Sequence, residues 1–257
     1  MIMGWLAFFD GLVAVALAMA GVVAAHYGLT TPILGFALFA GGLLFAVLAL
    51  VFCLIAMITM MVSPARRAAL PRAVTGGALS LALVLPVVLL VITHPYPAIN
   101  DITTDTKNPP EFVHAQEQAA NQGRELKYDA ATYAAIQEAT PAYKDLTPLK
   151  MEGSPDEVFK KAEIIVGEVP TWQITSSDPQ TRQIEGIATS SLFRFKDDFV
   201  IQVRAAESGG SLIEMRSKSR DGVGDFGVNA RRIRRFYDRV ALARSPNDQN
   251  PTDQDMP

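Results

Sequence analysis

Apolar residues are concentrated in three long runs before residue 94, and short alternating or helix-spaced patterns take over after it. Residues 6–25, 33–62 and 73–93 are each long enough to cross a hydrocarbon core of about 30 Å as a helix, so three transmembrane helices are expected. The first run carries one charge, Asp10, near its start, where an interfacial position is expected. Residues 1–9 contain no Lys or Arg. A secretory signal needs a basic leader, so a retained helix is the better reading. The second run is longer than a perpendicular span requires, and tilt absorbs the excess. Its Gly35, Ala37, Gly41 and Gly42 either admit a neighbouring helix or reflect how common small residues are in such helices. Pro86 predicts a kink in the third run.

After residue 93 the pattern changes to that of a folded domain. His94-Pro95-Tyr96-Pro97 ends the helix, and residues 94–145 are polar and weakly patterned, which predicts a linker with one short helix over 128–139. A compact domain is expected over 146–244. Ser154-Pro155-Asp156-Glu157 combines a serine cap, a proline at the first helical position and a glutamate three after the cap. Val158, Phe159, Ala162, Ile165 and Val166 follow at helical spacing. Trp172-Gln173-Ile174 opens a strand, and 182–195, 199–206 and 211–217 alternate as further strands. Lys196-Asp197-Asp198 and Ser208-Gly209-Gly210 have the composition of hairpin turns between them. A last helix is expected from Ala230 to about Arg244, with Ile233, Phe236, Tyr237 and Val240 as its apolar stripe. Residues 245–257 predict a disordered tail. The fold class is therefore α+β: three membrane helices, then an antiparallel meander sheet with helices packed on one face.

Charge adds an orientation. Arg66, Arg67 and Arg72 are the only basic residues in the first hundred and fall in one short loop. Basic loops stay on the cytoplasmic side, which puts the N-terminus inside and everything after Thr93 outside; in a bacterium, that is the periplasmic side of the inner membrane. The net charge of −3 is too small for bulk nucleic-acid binding, so no nucleic-acid partner is expected. Cys53, the single cysteine, excludes an internal disulfide.

Candidate chemistry gathers between residues 216 and 239. Gly222-Val223-Gly224-Asp225-Phe226-Gly227 has the spacing of a dinucleotide loop, but no strand follows the last helix to complete a βαβ unit, and no cofactor is expected. A glycine loop entering a helix also favours an anion at the helix N-terminus, unless Asp225 or Asn229 caps it. Arg231, Arg235 and Arg239 recur at four-residue spacing on one helix face. Arg216 and Arg220, with Ser217 and Ser219, form the small-anion candidate. Pairing of Arg216, Arg220 and Arg232 with Asp225 or Asp198 is expected to fix the loop.

Phe195-Lys196-Asp197-Asp198, Arg216-Ser217-Lys218-Ser219-Arg220, Gly222, Asp225, Gly227, Asn229 and Arg232-Ile233 together resemble the domain of unknown function 1499 family, over roughly residues 146–243. The resemblance implies a structural role for Asp197, Asp198, Gly222, Asp225, Gly227, Asn229 and Arg232, and implies no reaction. Members often open with a cysteine motif. The comparable Asn108-Pro109-Pro110-Glu111-Phe112 has none. His94 and His114 are the only histidines after the membrane runs, and neither is near a nucleophile in a catalytic pattern. Metal-ligand spacing is absent. Three readings remain: a non-catalytic module binding an anionic lipid, polyanion or protein partner of the envelope; a phosphate-directed hydrolase or transferase using Asp197, Asp198 or Asp225; and a structural subunit of a membrane complex.

Overall fold

The computed structural model describes residues 2–93 and 96–243. The expected tail (245–257) and His94 lie outside the described residues. The chain divides into two compact units: residues 2–93 with Ser190–Arg194, and Tyr96–Thr189 with residues 195–243.

The first unit is built on α1 (Ile2–His26), α2 (Pro32–Val62) and α3 (Leu70–Thr93), each long and apolar enough to cross a membrane. The buried positions of α1 are Gly4, Ala7, Gly11, Ala14, Ala18, Gly21 and Ala25, alternating steps of three and four. All are small, so the helix presents a smooth seam along its length. Lipid offers no hydrophobic drive to helix association, and close van der Waals approach over such seams holds the helices together instead. A side chain at Gly42 would lie 2.6 Å from the Ala14 carbonyl oxygen, and one at Gly76 would strike the Ala7 carbonyl. Of the small residues expected to matter on α2, Gly35 and Gly42 are buried in this way, whereas Ala37 is exposed and Gly41 has nothing within 4 Å. Thr31 caps α2 by accepting the Leu34 N–H at 3.3 Å. Pro86 lies inside α3, which continues through it. Within this unit Phe193 stands edge-on to Phe36 and Phe39, with centroids 5.5 and 5.6 Å away.

The second unit is a six-stranded antiparallel sheet with two helices on one face. Its strands are β1 (Asp101–Thr103), β2 (Leu149–Met151), β3 (Trp172–Asp178), β4 (Gln183–Thr189), β5 (Lys196–Ala205) and β6 (Ser211–Ser219). β3 to β6 form the expected meander. β1 and β2 both pair with the outer edge of β6, at Thr103↔Arg216 and Leu149↔Ile213. Helix α4 (Ala130–Ala139) precedes β2, α5 (Pro155–Gly167) follows it, and α6 (Val228–Leu242) ends the unit.

α5 starts where its capping chemistry dictates. The Glu157 carboxylate accepts the Ser154 N–H at 2.9 Å, and the Ser154 hydroxyl accepts the Glu157 N–H at 3.4 Å. Val158, Phe159, Ala162, Ile165 and Val166 then face the sheet, where they meet Ile184, Phe199, Ile201, Val203 and Ile213, together with Ile233, Phe236 and Val240 of α6. Gly186, opposite Phe199 on β4, leaves room for that ring, which any side chain at Gly186 would strike.

Two expectations are corrected. Residues 96–145 are no linker: Ile99 and Ile102 enter the main core, and Phe112, Ala115 and Leu126 cover the opposite sheet face over Val200. Their apolar residues are too sparse to show periodicity because they run mostly as an irregular strap. Lys196-Asp197-Asp198 is not a turn but the start of β5; the connection lies over 190–195. That shift matters because neighbours on a strand point to opposite faces.

Candidate functional site

Alternation along β5 and β6 sorts the polar residues of residues 195–236 into two buried clusters, one on each face of the sheet. On the strap face, Arg216 is 0% exposed and Asp101 is equally buried. The Arg216 guanidinium donates to both Asp101 oxygens, Nε to Oδ1 and Nη2 to Oδ2, each at 2.8 Å. Nη2 also donates to the Leu126 carbonyl at 2.7 Å. Its plane lies over the rings of Phe112 (4.8 Å) and Tyr128 (5.3 Å). Lys218 brings a second cation to Asp101, 2.9 Å away. Alongside, Asp198 receives Arg124 at 2.7 Å and Arg220 at 2.5 Å. Glu185 accepts three backbone N–H groups in a row, from Val113 (2.7 Å), His114 (3.0 Å) and Ala115 (2.7 Å). One buried carboxylate thus fixes a tight turn of the strap.

On the helix face, Asp197 pairs with Arg232 of α6. Arg232 also bonds the Ser217 hydroxyl at 2.7 Å and the Asn229 side chain. Asn229 donates from Nδ2 to the Ser219 hydroxyl (3.0 Å) and to the Asn100 carbonyl (3.1 Å). Asp225 receives the N–H of Gly227 at 2.8 Å and of Asn229 at 2.7 Å. The anion at the α6 N-terminus is therefore the protein's own Asp225 carboxylate, and the donors that favour an external anion are taken. Burial pushes the Asp225 pKa up, against the pull of those two N–H groups. Gly227 has φ +74°, and its bare Cα lies on the Tyr96 ring, where any side chain would collide.

This geometry redistributes the predicted site. Arg216, Ser217 and Ser219 do not form an anion pocket: all three are buried, and Arg216 points to the face opposite Ser217. Arg216 pairs with Asp101, not with Asp225 or Asp198, and Arg232 pairs with Asp197. Only Arg220 finds an expected partner, Asp198. Gly222 is exposed, with φ +79°, and its carbonyl accepts from Asn100. Arg234, on α6, pairs with Asp145 at 2.6 Å. Arg231 is half-buried, donates to the Phe226 carbonyl at 3.0 Å and lies 5.9 Å from the Tyr96 ring centroid. Arg235 and Arg239 are exposed, and no salt bridge holds either among the described residues. Asp101, Arg124 and Glu185, central to the strap face, were not anticipated. No local signal marks them: Asp101 lies 115 residues from Arg216, Arg124 lies 74 from Asp198, and Glu185 lies 70–72 from the N–H groups it accepts.

A family model described as protein of unknown function (DUF1499) matches residues 101–240. The match begins at the first residue of β1, some 45 residues before the segment in which the resemblance was read, and ends within α6. It therefore includes the strap. No curated protein and no solved structure matches the chain.

Proposed function

The chain belongs to the DUF1499 family of proteins of unknown function, with three apolar helices preceding the family domain, and from that premise we propose that it is a membrane-anchored binding module for anionic lipid head groups. The observation that carries this reading is the division of the arginines. Arg124, Arg216, Arg220, Arg232 and Arg234 each have a carboxylate partner, while Arg235 and Arg239 stand exposed one turn apart on α6. Arg231, next on the same face, keeps its charge unpaired by any carboxylate among the described residues. Guanidinium groups bind phosphate through paired N–H donors, and a basic residue near an anionic surface contributes about 1 kcal/mol.

The carboxylates on which a hydrolase or transferase would depend are engaged elsewhere. Asp197 and Asp198 are ion-paired and buried, and Asp225 is bonded to the α6 backbone. This favours binding over acid–base chemistry. Arg67 and Arg72, at the junction between α2 and α3, support an orientation in which the family domain lies outside the cytoplasm.

Flotation of residues 94–257 with vesicles tests the reading. Binding to phosphatidylglycerol vesicles should exceed binding to phosphatidylcholine vesicles and fall with salt. Arg235→Gln with Arg239→Gln should weaken it about thirty-fold, from about 1 kcal/mol per charge. Equal flotation on both lipids, indifferent to salt, refutes the proposal. Orientation is read separately, by labelling Glu207→Cys in intact cells with an impermeant maleimide.

A further inference from the structure

The loop between β6 and α6 exposes two large apolar side chains three residues apart. Val223 is 80% exposed and Phe226 is 61% exposed. Phe226 also sits at φ +50°, a left-handed conformation that disfavours a residue with a Cβ by roughly 1–2 kcal/mol. The backbone around it is fixed: Asp225 bonds the N–H groups on either side of Val228, and the Phe226 carbonyl accepts from Arg231. A strained residue held open to solvent points to a use outside the fold.

What covers this loop follows from the chain's own connectivity. The loop packs on residues 96–98. Gly227 lies on the Tyr96 ring, and a side chain at Gly224 would meet the Ala98 Cα at 3.1 Å. Tyr96 is three residues past Thr93, the last residue of α3, and Ala98 is five past it. An extended chain covers at most about 3.6 Å per residue, so these anchor points lie within roughly 11–18 Å of the helix end. The polar layer of a bilayer is itself about 5–8 Å deep on each side. The sheet register agrees. β1 enters at Asp101 opposite Lys218, and Asp197 near the start of β5 lies opposite Ser219, so the loop after β6 and the segment leading into β1 share one end of the sheet.

We propose that Val223 and Phe226 insert into the interfacial layer of the lipid bilayer that carries the anchor, seating that end of the sheet on the membrane while Arg231 and Arg235 reach phosphate groups beside them. The proposal rests on the reading of α1–α3 as a bilayer anchor. It adds a hydrophobic contact that does not depend on charge. Amphipathic insertion of this kind joins buried apolar area to head-group attraction, and here both are presented within one strand–loop–helix corner.

The test uses the full chain in lipid nanodiscs, in a Cys53→Ala background, with an environment-sensitive fluorophore on Val223→Cys, on Phe226→Cys or, as control, on Glu207→Cys in the β5–β6 turn at the other end of the sheet. Spin-labelled lipid should quench the labels at 223 and 226 several-fold more than the label at 207, and iodide should show the reverse order. The pattern should hold in pure phosphatidylcholine. Iodide quenching equal at all three positions overturns the proposal. Shielding at 223 and 226 from both quenchers also overturns it, because a protein surface then covers the loop. Lipid quenching seen only with anionic lipid overturns the hydrophobic contact while leaving the arginine reading intact. Insertion in phosphatidylcholine combined with salt-insensitive flotation does the opposite.

Discussion

Asp101→Asn is the most informative single substitution, because one carboxylate holds two cations in the strap-face cluster. The change keeps the shape and removes the charge. Arg216, 0% exposed, then retains the Leu126 carbonyl at 2.7 Å and the Phe112 and Tyr128 rings, but has no counter-ion. Stranding a buried charge costs about 3–5 kcal/mol. Lys218 loses the same partner, but it is partly exposed and its charge can turn to water. At about 4 kcal/mol the folding equilibrium shifts nearly a thousandfold. With a urea slope of about 2 kcal/mol per molar, the midpoint falls by about 2 M. Trp172, its ring centroid 4.7 Å from that of Phe199, reports unfolding of the sheet by fluorescence; Trp5→Phe removes the only other tryptophan. The assay is urea unfolding of the full chain in mild detergent. The second arm is Arg216→Met, which removes the fully buried cation and leaves only Lys218, whose charge can turn to water. In that background Asp101→Asn should cost only about 1 kcal/mol, giving a coupling of at least about 2 kcal/mol. The reasoning is refuted if Asp101→Asn costs the same with and without Arg216.

Gly227→Ala should destabilise by about 2–4 kcal/mol, combining a left-handed backbone with overpacking against Tyr96; in the same urea assay, Tyr96→Ala should recover the steric part. Asp225 binds its proton more tightly folded than unfolded because burial raises its pKa. Stability from this group is therefore greatest below the ordinary value of 3.8 and falls as pH rises from there through the raised value. Asp225→Asn should abolish that fall, and parallel pH–stability curves for the two proteins would count against it. Arg234→Ala should cost only about 0.2–1 kcal/mol, since its partner Asp145 is largely exposed. The Arg234 hydrogen bond lowers the Asp145 pKa, so this contribution is present above 3.8 and is lost as pH falls through the lowered value.

The elements legible in the sequence are those whose cause is local. Helix α5 is written in Ser154, Pro155 and Glu157, which cap it, and in five apolar residues at helical spacing. The three apolar helices follow from length alone, and the meander from alternation and glycine turns. What stayed hidden depends on partners far along the chain. β1 is three residues long and too short to alternate, and its partner Arg216 lies more than a hundred residues on. Arg216 was matched with acids close in sequence, where the fold supplies Asp101 instead. Asp197 and Asp198 resembled a turn by composition. Once they are placed on β5, strand periodicity assigns them to opposite faces, one tied to α6 and the other to the strap. Adjacent aspartates thus join the two coverings of a single sheet.

The pairing of β1 with β6 also sets an order in time. β1 is the first element of the second unit to be synthesised, and β6 is its last strand. At 5–20 residues per second, about 6–23 s separate Thr103 from Arg216. Through that interval Asp101 has neither of its cations, and the edge that β1 and β2 will join does not exist. The sheet therefore closes only once β6, its last strand, has been made. Long-range closure of this kind is slow, so the domain folds late, after its three long apolar helices have been made. A ribosome that stalls before Ser211 leaves an open strap, with β1 and β2 unpaired and Asp101 uncompensated.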